Sequence, residues 1–135
     1  MIFVVFWIFF IVALIFIVAG FSGAPFVPSQ NQQILDMLDI ADIRPGDRAT
    51  DLGSGDGRVV IALARAGLDA HGYEINPFLV IWSLLRMYRA GVWGCGHIHW
   101  KSYWRTNLSS YDLITIYGTP PIMSRLKDKL CRELP

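Results

Sequence analysis

With 135 residues the chain has room for one domain of modest size, and its 53% apolar content is uneven, since no charged residue precedes Asp36. Twelve basic against 11 acidic residues leave a net charge of +1, which excludes the basic stripe of a nucleic-acid binder. Cys95 and Cys131 are the only cysteines, too few for a disulfide framework, so a reducing compartment is expected.

Ile2 to Phe21 is an unbroken apolar run. As a helix rising ~1.5 Å per residue it would cover roughly 30 Å, the thickness of a bilayer core. A cleaved signal peptide would need a Lys or Arg n-region and a shorter run. A buried core helix would need neighbours on every side. The expectation is an uncleaved, single-pass N-terminal membrane anchor over 1–22, in a bacterial inner membrane or a mitochondrial membrane. Residues 23–29, with Pro25 and Pro28, stop that helix and form a linker. Ser29 with Gln32 has the spacing of a capping box, and Ile34, Leu35, Met37, Leu38 and Ala41 lie on one face of the helix that follows.

Pro45-Gly46 is a turn into a first strand, Arg48 to Leu52, whose Thr50 and Asp51 make it less apolar than a buried strand usually is. Arg58 to Ala66 is a helix closed by Gly67. Asp69 to Glu74 is a second strand. Asn76-Pro77 caps and opens a helix to Ala90, before Gly91. Gly94 to Trp100 is the third strand and Tyr111 to Tyr117 the fourth. Pro120-Pro121 starts a last helix with Ile122, Leu126, Leu130 and Leu134 on one stripe. Strands alternating with helices predict an α/β fold with a parallel, Rossmann-like sheet.

In such a sheet ligands bind beyond the carboxyl ends of the strands, where strand order reverses. The turn after the first strand, Asp51-Leu52-Gly53-Ser54-Gly55-Asp56-Gly57, lies there. Gly53 and Gly55 allow backbone angles and close approach that a side chain forbids. Gly57 is expected to let the helix start tight against the sheet. A dinucleotide site wants its third glycine at position 58, which is Arg58. The turn therefore suits a nucleoside ligand without a pyrophosphate, and S-adenosylmethionine fits, its ammonium drawn to Asp51. Glu74, at the end of the second strand, can accept both ribose hydroxyls through charge-assisted hydrogen bonds.

These residues carry a family resemblance. Asp51 to Val60, Gly72-Tyr73-Glu74-Ile75-Asn76-Pro77 and Pro25 to Ser29 resemble the seven-strand (class I) S-adenosylmethionine-dependent methyltransferases. The nearest branch is the membrane-anchored one related to mitochondrial protein-lysine methyltransferases of the ATP synthase c-subunit and the ADP/ATP translocase. The resemblance runs from about Pro25 to Leu134. It implies a methyltransferase domain over 30–135 that binds S-adenosylmethionine through Asp51, Gly53, Ser54, Gly55, Gly57, Glu74 and Asn76. It sets the segment Pro25 to Ser29 near the methionine end. Many relatives have an acidic residue after the third strand for the adenine amino group; Ser102 is the match here. The family sheet continues beyond a fourth strand, so the sheet is expected to be incomplete at the C-terminus, a fragment or one completed by a partner chain.

The implied reaction is methylation of lysine in a membrane protein, with the domain on the side where S-adenosylmethionine is available. Alternatives are a lipid or small-molecule methyltransferase, and a non-catalytic cofactor-binding remnant or assembly factor. Tyr117 and Thr119, in the loop after the fourth strand, are the candidates for positioning substrate; a packed strand end is the other reading of Tyr117. Cys95, His97 and His99 alternate along one strand, but with no further donors in view no metal site is expected. Trp93, Trp100, Tyr103 and Trp104 are expected in the core, with stacking on adenine or contact with a membrane as the alternative.

Overall fold

The computed structural model describes residues 1–22 and 31–134, with side chains given outside 18–22 and 31–35. The expected linker over 23–29, the Ser29 cap and the Pro25 to Ser29 segment therefore lie outside the described residues. Helix α1 spans Ile2–Ser22 and has no charged residue. Its side chains are described only as far as Ile17, and almost all are exposed. Among the described residues no helix is long and apolar enough to cross a membrane, so the expected spanning anchor is not shown.

From α2 (Asn31–Ile40) the chain enters β1 (Arg48–Leu52), α3 (Arg58–Arg65), β2 (Asp69–Glu74), α4 (Pro77–Ala90), β3 (Gly96–Trp100), a 3-10 turn at Tyr103–Arg105, β4 (Leu113–Ile116) and α5 (Pro120–Glu133). The four strands are parallel in the order β3-β2-β1-β4. The order reverses between β1 and β4, which places the switch point beside the glycine turn.

Local chemistry accounts for most boundaries. Asn76 Oδ1 accepts the Phe78 N–H at 3.0 Å and Pro77 occupies the first turn, so α4 starts there. Gly91, at φ +70°, ends α4. β3 begins two residues later than expected because the Cys95 and Gly96 N–H groups both turn back to the Val92 carbonyl. β4 begins after Asp112 because the Tyr111 N–H closes a turn onto Leu108. The 3-10 turn has too few residues to leave a periodic signal in the sequence.

Two apolar clusters sandwich the sheet. Ala49, Val60, Leu63, Ala64, Leu68, Ala70, Met87 and Val92 fill the α3/α4 face. Leu52, Tyr73, Tyr103, Leu108, Tyr111 and Leu126 fill the face toward α5 and the 3-10 turn. Alternation along each strand produces this division: Ala49 and Ala70 point one way, Leu52 and Tyr73 the other. Truncating a fully buried side chain such as Leu63 would cost about 2–5 kcal/mol. Thr50 and Asp51 are buried despite their polarity. Of the aromatic group expected in the core, Tyr103 is buried and Trp104 half-buried, whereas Trp93 and Trp100 are exposed. The exposed pair sit in the α4–β3 turn and at the end of strand β3, where none of the described layers covers them. Cys95 and Cys131 are free.

Candidate cofactor site

Gly53, Gly55 and Gly57 all have positive φ, at +76°, +55° and +77°. Two of them do different work. A Cβ on Gly53 would meet no protein atom within 4 Å, so the dihedral alone requires glycine and the space beside it is open. A Cβ on Gly57 would lie 2.9 Å from the Ser83 Cβ of α4. The expectation that Gly57 sets α3 against the sheet is thus corrected: it sets the start of α3 against α4.

Three groups on α4 and β4 hold this turn, and none stands out in the sequence. Ser83 Oγ donates to the Gly55 carbonyl at 2.8 Å. Arg86 ion-pairs with Asp56, which also receives Arg58 at 3.2 Å. Thr115 Oγ1 donates to Asp51 Oδ1 at 2.8 Å, across the β1–β4 register that sets these two residues side by side. The available signal for Ser83 and Arg86 is two polar residues one helical turn apart on an apolar helix. Nothing local marks Thr115, because only the register brings it to Asp51.

Burial pushes the Asp51 carboxyl up to about 6; the Thr115 bond works against this, and the negative charges of Glu74 and Asp56 add to it. Glu74 is buried at the end of β2 and ties two turns together. Its Oε2 accepts the Gly55 N–H at 2.9 Å, and its Oε1 accepts the N–H groups of Ile75 at 2.9 Å and Asn76 at 2.8 Å. A carboxylate has about four acceptor sites, so one is left for a ligand.

The remaining expected residues divide. Ser54 is buried against Gly72 of β2, and its hydroxyl has no partner. The Asn76 side chain caps α4. Ser102 follows β3 at the same end of the sheet, where the Lys101 N–H reaches the Glu74 carbonyl at 3.2 Å. Trp100 Nε1 donates to the Ile75 carbonyl at 3.0 Å, holding an exposed indole beside the Glu74 turn. Tyr117 is 60% exposed, not a packed strand end. Thr119 is exposed and precedes α5. The structure therefore brings Asp51, the glycine turn, Glu74, Asn76 and Ser102 together at the carboxyl ends of β1 to β3, with Tyr117 and Thr119 beyond β4. An apolar cavity of about 350 Å³ lies beneath α2 at the β4 edge, with Thr115 in its wall.

The open space beside Gly53, the unpartnered Ser54 hydroxyl and two buried carboxylates fit a ligand with a cationic end and a ribose. A parallel sheet in this order with this turn defines the S-adenosylmethionine-dependent methyltransferase class. An RNA methyltransferase from Salinibacter ruber, solved with S-adenosyl-L-homocysteine, superposes with a TM-score of 0.77 at 32% identity, covering 81% of this chain and 72% of that one. Residues 51–135 match the ANTKMT methyltransferase domain, and the chain belongs to that family. It is 43% identical over 110 residues to a lysine N-methyltransferase of the ATP synthase c-subunit from Homo sapiens, covering 82% of this chain and 47% of that protein. It is 38% identical over 112 residues to an adenine nucleotide translocase lysine N-methyltransferase from Mus musculus, covering 82% and 48%. The chain thus spans about half the length of these curated relatives.

Proposed function

We propose that this chain is the cofactor-binding part of a membrane-tethered protein-lysine N-methyltransferase that uses S-adenosylmethionine. The observation that carries the reading is the juxtaposition of the positive-φ glycine turn with Glu74 in a chain of this family. Asp51 takes the ammonium of the methionine end, which favours its ionised form. Glu74 takes the ribose hydroxyls, using its free acceptor site and giving up the Gly55 bond. Ser102 lies toward the adenine, with Trp100 available to stack on it. Tyr117 and Thr119 position the acceptor.

The sulfonium methyl is already activated, so the protein has mainly to align nucleophile and methyl. A lysine with a free pKa of about 10.4 must arrive unprotonated, which an apolar channel promotes. The names of the relatives support lysine over a lipid acceptor. A net charge of +1 weighs against RNA, the substrate class of the Salinibacter neighbour.

The tether is argued from the sequence, in which Ile2 to Phe21 is an uncharged apolar run that as a helix would cover roughly 30 Å at ~1.5 Å per residue. The described side chains stop at Ile17, short of a span. The tether would confine the domain to a membrane, bacterial inner or mitochondrial, and raise its effective concentration near membrane-protein targets. Incubating the protein with methyl-labelled S-adenosylmethionine and membranes tests the reaction: label should enter protein, not the lipid extract. Asp51→Ala and Glu74→Ala should each abolish cofactor binding in calorimetry. Unchanged binding by both variants would sink the site assignment. Alkaline extraction of membranes tests the tether, which predicts that the chain stays with the lipid.

A further inference from the structure

On the face of the sheet away from α3 and α4, the first half of β2 and β3 gathers imidazoles. In register, His71 pairs with His97 and Tyr73 with His99, so alternation sets Asp69, His71, His97 and His99 on one face. Asp69 Oδ1 lies 3.3 Å from His71 Nε2 and 3.3 Å from His97 Nε2. The three donor atoms all fall within 4.8 Å of one another. Donors at ~2.0–2.1 Å from a tetrahedral ion are separated by roughly 3.3 Å, which these two separations match. The two Nε2 atoms, within 4.8 Å of each other, would close to the same spacing around an ion.

We propose that Asp69, His71 and His97 form a binding site for one divalent transition-metal ion of the zinc class, held through Asp69 Oδ1 and the two Nε2 atoms. Two further observations point to an occupant. The His71 Nε2 atom is buried, and among the described residues its one close polar neighbour is Asp69 Oδ1 at 3.3 Å, an ion-pair distance without a well-formed hydrogen bond. Thr50, the register partner of His71 on β1, likewise has a buried hydroxyl without a partner.

The surroundings suit ligation. His71 Nδ1 lies 2.9 Å from His99 Nε2. When His71 Nδ1–H donates there, the lone pair of Nε2 is left for the ion, the usual second bond of a metal-bound histidine. Arg48 Nε sits 3.4 Å from Asp69 Oδ2, which orients Oδ1 toward the histidines and, by its charge, moderates affinity. The rings of His71 and His97 stack at 4.8 Å, which keeps the two imidazoles side by side across β2 and β3. His97 is partly open to solvent, so an ion has a way in.

Along β3 alone, Cys95, His97 and His99 offer too few donors, which is why the sequence predicts no metal. The missing donors are on the neighbouring strand. Asp69 opens β2, at the opposite end of the sheet from the glycine turn, so the ion takes no part in methyl transfer. It clips edge strand β3 to β2.

The test is titration of the metal-free full chain with Co2+, following the visible bands of four-coordinate cobalt. One Co2+ per chain is expected, displaced by Zn2+. His97→Ala should weaken binding by more than about 100-fold. His99→Ala, which removes only the partner of a ligand, should cost about 10–100-fold. Calorimetry with S-adenosylmethionine should give the same affinity for wild type and His97→Ala, which keeps the outcome separate from the cofactor assignment. Absence of saturable uptake by wild type, or uptake unchanged by His97→Ala, would overturn the proposal.

Discussion

The two ends of the sheet differ in what holds their polar groups. At the carboxyl end Glu74 accepts three backbone N–H groups, Ser83 reaches Gly55, and Thr115 reaches Asp51. Most of that end is held by the chain's own donors and acceptors, and the Ser54 hydroxyl is the buried group there without a partner among the described residues. At the amino end of β2 and β3, His71 Nε2 and the neighbouring Thr50 hydroxyl are left without hydrogen-bond partners. A turn that must already have its shape before a ligand arrives is held by protein. The amino-end cluster is tied by ion pairs to Asp69 and by the His71–His99 contact, and under the metal proposal an ion completes it.

Substitutions that remove packing or hydrogen bonds from the glycine turn should therefore be costly with no ligand added, and those at the amino end nearly silent. Gly57→Val should show the largest effect. It imposes a β-branched residue on φ +77° and drives a Cβ into Ser83. The expected loss is about 3 kcal/mol by urea unfolding.

Asp51 supplies a comparable effect of opposite sign. A buried carboxyl moved from 3.8 to about 6 corresponds to about 3 kcal/mol. The native state holds this proton more tightly than the unfolded chain, so its stability is full below pH about 4 and falls as pH rises through about 6. Asp51→Asn should flatten that slope and stabilise the protein above pH about 6, while losing the cofactor. On the proposed pairing of Asp51 with the cofactor's ammonium, cofactor binding has the reverse dependence, because that pairing needs the ionised carboxylate. In wild type, calorimetric affinity should weaken by up to about tenfold per pH unit below about 6.

Ser83→Ala removes one buried hydrogen bond and should cost about 1 kcal/mol in thermal or urea unfolding. His97→Ala, measured in a chelator, should change stability by less than about 0.5 kcal/mol. A large loss there without metal would erase the contrast between the two ends.

What can be read from the sequence follows the same division. The span of β1, the span of β2 and the capped start of α4 are legible because each is written in consecutive residues. So is the glycine turn, and so is Glu74, fixed by its place at a strand end. Thr115, Ser83 and Arg86 are not legible, because their partners are 28 to 64 residues away and only the fold makes them neighbours. His71 and Asp69 stay invisible for that reason too: they look like ordinary strand positions until β2 and β3 are set in register. The expectation fails at Trp93 and Trp100 because apolarity does not tell a core strand from an uncovered edge.

Helix α4 has a second consequence. Its inner side, through Ser83 and Arg86, shapes the cofactor turn, and on its outer side the ring of Phe78 stacks on Phe16 of α1 at 5.4 Å. One helix thus serves as a wall common to the apolar rod and the crevice. A helix with its side chains is roughly 10–12 Å across. A shift of α4 by a fraction of that width would be felt at both contacts, at Phe16 through Phe78 and at the glycine turn through Ser83 and Arg86.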